Sequence, residues 1–311
     1  MNVIERKYIF LTISGLLVAG GLIVFGFWGL KQGIDFTGGS LLEIAFVPKD
    51  PDAIIPTAES LQHSLTSFEL GSALIQSSGD TSVIMRFRHI DEPTHQEILR
   101  RIVATAGPRL EVTEKQFTTI GPTIGAELRR RALLALALAT LGIVLYIAWA
   151  FRHVSRPLPS WKYGVVAITT LVHDVAIPTG LFALLGHVKG VEVDSLFLTA
   201  LLTIMGFSVH DTIVVFDRTR ENLRKTKGGE PYGVTVNRSI NETFARSINT
   251  SLTVLLVLAA IVFVGGAAVR YFALALIVGI TFGTYSSIFV ASPLLVVWER
   301  LGARKKGKQT Q

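Results

Sequence analysis

Cysteine is absent from the 311 residues, so neither a disulfide nor a thiolate metal ligand is available anywhere in the chain. Charge is scarce as well, at 17% of residues against 50% apolar, and the mean hydropathy is +0.49. That balance excludes an ordinary water-soluble domain and makes a membrane protein the first expectation. No phosphate-binding loop of the form GxxxxGK[ST] occurs, so ATP is not the expected energy source, and neither enzyme activity nor a cofactor is expected.

What is present is long apolar runs. Six are of bilayer-spanning length, about 20 residues each, at 8–30, 132–151, 163–185, 195–216, 250–269 and 271–298. The expected organisation is a first transmembrane helix over 8–30, an external domain over 31–128, a five-helix transmembrane bundle over 129–298 and a basic tail over 299–311. The first run follows Arg6 and Lys7, continues through LLVAGGLIVFGFWGL to Trp28 and has no small-x-small cleavage site, so it reads as a retained anchor.

The formal charge of +7 raises the question of nucleic acid, but the basic residues sit mainly in short segments flanking helices, where they set topology. No nucleic-acid partner is expected. Arg6 and Lys7, the FRHVSRPLPSWK loop, the expected long loop over 217–246 and the RKKGK tail all fall on one side, which places both termini in the cytoplasm. The triplet Arg129–Arg131 ends the long external segment and is the discordant feature.

The external segment has the texture β-α-β-β-α-β. SLLEIAFV, SALIQS, SVIMRFR and LEVTEKQFTT read as strands, while PDAIIPTAESLQHSLTSF and EPTHQEILRRIVATAG read as helices. Ser77-Ser78-Gly79-Asp80 suits a hairpin turn and Asp91-Glu92-Pro93 a helix start, and a ferredoxin-like split βαβ is the simplest compact answer. His63, His89 and His95 share no metal-ligand spacing and are expected on the surface, so no metal site is predicted. A domain without chemistry of its own suggests contact with another chain. Just before it, GIDFTGGS contains Gly38 and Gly39, which permit a sharp turn out of the membrane, with Asp35 able to cap or anchor it.

Inside the membrane runs a few polar residues stand out, because each is costly in lipid. Asp211 lies six residues before Asp217, about 9 Å deeper in the span. Ser208 lies one turn earlier. In the fifth run Glu242, Arg246, Asn249, Thr250 and Thr253 stack on one helical face, which is expected to turn toward protein or a water-filled path; the alternative is a helix end that merely abuts the bilayer. Asp211 and Arg246 are candidates for a charge pair, either one whose proton occupancy changes or a structural one. His173 and Asp174 form a further intramembrane pair; adjacent on a helix, they need not share a partner. Gly279, Gly283 and Ser287 recur every fourth residue in the sixth run, a pattern of close helix contact.

Taken together, GIDFTGG, LVHDV, GFSVHDTIVVFDRTREN and NRSINETFARSINTSLT resemble the SecF family of protein-export subunits, nearly end to end. That family belongs with the resistance-nodulation-division type of proton-coupled transporters. The resemblance implies six membrane helices with one ferredoxin-like periplasmic domain, pairing with SecD, work beside the SecYEG channel on translocating unfolded preprotein, and use of the proton motive force across the bacterial inner membrane. It implies a proton path through Asp211, Arg246 and Thr250. His173, Asp174, His210 and Asn249 are candidate supporting polar residues by their place in or beside the spans, with helix-packing hydrogen bonds as the alternative for His173 and Asp174. One departure is His210, where the family pattern would have Asn beside the aspartate. The expected form is a separate subunit rather than half of a fused chain. The rival readings are a structural assembly subunit without proton transport and half of a small-molecule proton-coupled exporter.

Overall fold

After Lys7 the first helix carries no charged side chain for its whole length, and α1 (Lys7–Trp28) leaves most of its apolar surface open, as a helix does when lipid is its solvent. The computed structural model describes residues 1–68, 70–71, 73–78, 81–152, 158–226 and 229–309, with the backbone alone for 78, 267–268 and 303–309. Two compact units result: 32–133, and a membrane unit formed by 1–31 with 134–311.

In the first unit a short α2 (Ile34–Thr37) precedes β1 (Gly39–Pro48). Every second residue of β1, namely Leu42, Ile44 and Phe46, is fully buried, because successive strand side chains point to opposite faces. Then follow α3 (Ala58–Ser64), β2 (Leu74–Ser78), β3 (Ser82–Phe87), α4 (Glu92–Ala106) and β4 (Leu110–Ile120). The strands form one antiparallel sheet in the order β2-β3-β1-β4, with Leu42 facing Met85 on one side and Phe117 on the other. This is the expected split βαβ arrangement. Leu61, Ile98 and Ile102 from the helices close the core.

Two expectations for this unit need correction. The helix expected over 51–68 shrinks to α3 and a 3-10 turn at Thr66–Phe68. Pro56 disfavours helical backbone at the residue before it, and Thr57 becomes the N-cap, accepting the Ser60 N–H at 3.2 Å. His95 is not a surface residue: it is 3% exposed, on the face of α4 shared with Ile98 and Ile102, and it stacks on Phe117 with ring centroids 3.7 Å apart. His63 and His89 are exposed, as expected. Gly79 and Asp80 of the expected hairpin turn lie outside the described residues.

The chain continues through α5 (Pro122–Ala150), which belongs to the membrane unit from residue 134 on, and then α6 (Ser160–Lys189), α7 (Ser195–Thr226), α8 (Tyr232–Val264) and α9 (Ala267–Ser286). A π-helical turn at Ser287–Ala291 then leads into α10 (Ser292–Gln309). Among the described residues six helices are long and apolar enough to span a bilayer. The loop expected over 217–246 is instead mostly helix, because α7 runs on to Thr226 and α8 starts at Tyr232 behind the N-cap Pro231. Good helix formers carry those extensions, and Glu242 ties them together by accepting from Arg218 at 2.6 Å and Asn222 at 2.7 Å. The fifth apolar run ends as a helix at Val264, where Gly265 and Gly266 interrupt it.

Small residues bring the spans close. A Cβ on Gly21 of α1 would lie 3.1 Å from the Ala176 carbonyl of α6, and one on Gly283 of α9 would lie 3.2 Å from the Ser208 Cβ of α7. One on Gly279 would run into Ile204. In lipid such contacts replace the hydrophobic effect as the glue between helices.

Candidate functional site

Among the described residues the membrane unit buries two carboxylates. Asp174 on α6 has no exposed surface and Asp211 on α7 is 6% exposed. A charge withdrawn from water is tolerated only with hydrogen-bond partners, and both have them. Asp211 Oδ1 accepts from Ser247 of α8 at 2.5 Å, and Oδ2 accepts from Ser287, the first residue of the π turn, at 2.5 Å. Asp174 Oδ1 lies 2.7 Å from His173 Nδ1, while Oδ2 accepts from Ser208 of α7 and from Ser286 of α9 at 2.7 Å. His173 and Asp174 thus share a direct contact, which the 100° step between neighbours did not require.

Four helices converge here for a reason visible in their spacing. On α8 the buried face is Thr243, Ser247 and Ser251, each four residues from the next and each a hydroxyl. Ser251 and Thr284 of α9 extend the row, their hydroxyl oxygens 2.5 Å apart. The π turn sits where α9 must present two adjacent serines to two different aspartates. Single π turns of this kind recur at functional sites.

The expected Asp211–Arg246 pair is not formed: serine hydroxyls occupy both oxygens of Asp211, and among the described residues no ion pair joins it to Arg246. Arg246, Asn249, Thr250 and Thr253 are exposed in this chain, one helical step round from the Ser247–Ser251 face. These four therefore turn away from this bundle, while Glu242, the first member of the stripe, faces α7. Thr250 donates to the Arg246 carbonyl at 2.9 Å. His210 is exposed on another face of α7 from Asp211. Ser287 does more than allow close packing, since it holds Asp211. The residues that sequence reasoning passed over are Ser247, Ser251, Thr284 and Ser286; the signal was the four-residue hydroxyl period in TFARSINTSLT.

The turn motif stands apart from these acids. Asp35 is the second residue of α2, whose N-cap is Gly33. Gly38 and Gly39 have φ of 72° and 125°, where side chains are strained. A Cβ at Gly38 would lie 2.8 Å from Pro122 Cα, and one at Gly39 would lie 2.8 Å from the Phe87 carbonyl oxygen.

The fold and the buried acids define a polytopic α-helical membrane protein with one α+β domain and an interior lined by carboxylates and hydroxyls. Residues 100–301 match the family described as protein export membrane protein SecD/SecF, C-terminal, and residues 23–49 match the SecD/SecF GG motif. The protein translocase subunit SecF of Thermobaculum terrenum is 44% identical over 310 residues, covering 96% of this chain and 94% of that one. SecF of Anaerolinea thermophila is 40% identical over 300 residues, with shares of 96% and 94%. A crystal structure of SecDF from Thermus thermophilus, titled a translocon-associated membrane protein, superposes with a TM-score of 0.79 at 36% identity, over 96% of this chain and 39% of that one. The chain belongs to the SecD/SecF family of protein-export membrane proteins.

Proposed function

We propose that the chain is an accessory subunit of Sec protein export which, paired with a SecD half, uses the proton motive force to promote movement of unfolded preprotein out of the SecYEG channel. In this reading it sits in the bacterial inner membrane with both termini cytoplasmic and the sheet domain in the periplasm. Asp211 gains and loses the proton, and Arg246 and Thr250 form its path together with residues of the partner. The observation that carries it is the pair of faces on α8. One face holds Asp211 through Ser247, while the adjacent one leaves Arg246, Asn249, Thr250 and Thr253 without cover in this chain. An uncovered polar stripe in a span requires a partner, and the SecDF relative, of which this chain spans only 39%, has room for a second half.

An elementary charge crossing the membrane potential is worth about 2.3 kcal/mol per 100 mV, enough to bias a two-state equilibrium more than tenfold. The test is Asp211→Asn in the assembled complex. It keeps the shape and removes the titration, so the complex should assemble while losing the gradient-dependent part of export. Normal assembly with a full gradient response would make Asp211 structural. That outcome is the second reading, a static assembly subunit, and the complete hydrogen bonding of Asp211 is what favours it.

A further inference from the structure

Asp174 is buried as deeply as any acid in the chain, yet nothing in the reading above uses it. Its surroundings are not those of a packing residue. His173 Nδ1 contacts one of its oxygens, and His173 Nε2, equally buried, has no hydrogen-bond partner among the described residues. A carboxylate only accepts, so with Asp174 ionised Nδ1 carries the ring proton and Nε2 presents a bare lone pair. That lone pair is a place for an arriving proton.

The connection to Asp211 runs through the backbone of one turn. Ser286 bonds Asp174 and the next residue, Ser287, bonds Asp211. Each serine also lies within reach of a second acceptor in its own helix, Ser286 at 3.1 Å from the Gly283 carbonyl and Ser287 at 2.9 Å from the Thr284 carbonyl. A hydroxyl has one proton and makes one choice. Opposite an ionised carboxylate it donates to the carboxylate. When that group takes up a proton and becomes a donor, the hydroxyl accepts from it and turns its own proton to the helix carbonyl. The acceptors compete inside the turn where α9 passes into π geometry, so each choice shifts a backbone that both serines share.

We propose that Asp174, with His173 as its proton carrier, is a second proton-binding site of this half, and that the Ser286–Ser287 turn couples its occupancy to that of Asp211. The step is a proton transfer only: His173 Nε2 takes a proton, Nδ1 passes its own to Asp174, and the ring returns to neutral in the other tautomer. The titratable group in contact with Asp174 is His173 on α6; Tyr285 of α9 stacks its ring 6.3 Å from that of His173, and Asp211 lies one turn along α7 from Ser208, which donates to Asp174. From α1, Ser14 donates to the Tyr285 hydroxyl. The inference rests on the reading of Asp211 as a proton-binding group.

The experiment is a pH titration of the carboxyl C=O stretch by infrared difference spectroscopy, on the full chain reconstituted with its SecD-type half. Among the titrating bands of this chain, one should be deleted by Asp174→Asn and one by Asp211→Asn. Each deletion should move the midpoint of the surviving band by about tenfold in proton affinity, within the usual range of site–site coupling. In a Ser286→Ala/Ser287→Ala background both bands should persist and the mutual shift should fall below about twofold. His173→Gln, which leaves both acids in place, should move the Asp174 midpoint and covers the case in which Asp174→Asn fails to assemble. An Asp211 band without an Asp174 band, or two bands that ignore each other, would overturn the inference and leave the proposed function standing. Absence of the Asp211 band would overturn both, which sets that failure apart.

Discussion

The interior of the sheet domain and the interior of the membrane unit both bury apolar clusters, but they differ in what else they bury. Around β1 the buried side chains are Leu42, Ile44, Phe46, Met85, Ile98 and Ile102. In the membrane unit Asp174, Asp211, Ser208, Ser247, Ser286 and Ser287 are buried at the helix crossings, while Leu141, Leu145, Leu252 and Leu256 lie open on the outside. Water drives apolar groups inward in the first case. Lipid removes that drive in the second and leaves small-residue contact and hydrogen bonds to hold the helices. Buried polar groups are few in the sheet domain, where Ser40 accepts the Ile90 N–H, and in the bundle they include both buried carboxylates with the serines that hold them.

The contrast is sharpest in truncations. Phe46→Ala should destabilise the sheet domain by about 3–5 kcal/mol, seen as early proteolysis of 32–133 in the full protein. Leu252→Ala, at an open position of α8, should change the melting of the complex by less than about 0.5 kcal/mol. Equal effects would mean that the two interiors are not different after all, or that the partner half covers Leu252.

Gly39→Ala tests the tightest turn of the sheet domain. A left-handed residue costs about 1–2 kcal/mol and forced overpacking about 1–3 kcal/mol, so a loss of about 2–5 kcal/mol is expected from the two together. Full stability would show that the turn at β1 can relax away from the Phe87 carbonyl.

Ser247→Ala asks whether a hydroxyl does in the bundle what a leucine does in the sheet. It removes one of the two donors to Asp211 and leaves a buried oxygen unsatisfied, a cost of about 1–3 kcal/mol. Helix association should weaken on heating in detergent, and the pH dependence of gradient-driven export should move. A threonine in its place restores the donor and should restore both.

Much of the fold was legible because periodicity survives in both solvents: alternation in SLLEIAFV, apolar length in the spans, and the fourfold glycine-serine spacing of the last helix. The site was half legible. Asp211 stood out against apolar neighbours, but its partners are serines, and a serine in a membrane helix is as often a packing residue. Arg246 was misassigned as the partner because charge is the first thing to look for near a charge. The face of α8 that holds Ser247 decides otherwise, and only the helix rotation reveals it. His95 was misplaced because a lone histidine between Glu92 and Glu97 looks solvated, although its spacing to Ile98 and Ile102 puts it on the apolar face.

The smallest effect belongs to the surface of the sheet domain, where a polar contact should matter least. Asp91 caps α4, accepting from the Thr94 hydroxyl at 2.5 Å and the Thr94 N–H at 3.2 Å. The hydroxyl bond first, then the amide bond, hold its carboxyl below the usual 3.8. A carboxyl lowered by folding adds stability above its unfolded value and loses it as pH falls through its folded one. The first turn of α4 should therefore fray as the pH falls below the usual aspartate value of 3.8, with faster amide exchange at Thr94 and His95 while the strands stay protected. Asp91→Asn keeps a capping oxygen and removes the titration, so its exchange at Thr94 should be flat over the same range. If exchange at Thr94 stays pH-independent in the unaltered chain after correction for intrinsic rates, the cap is held by Pro93 and the helix backbone, and the surface of the sheet domain carries no electrostatic contribution worth separating from its core.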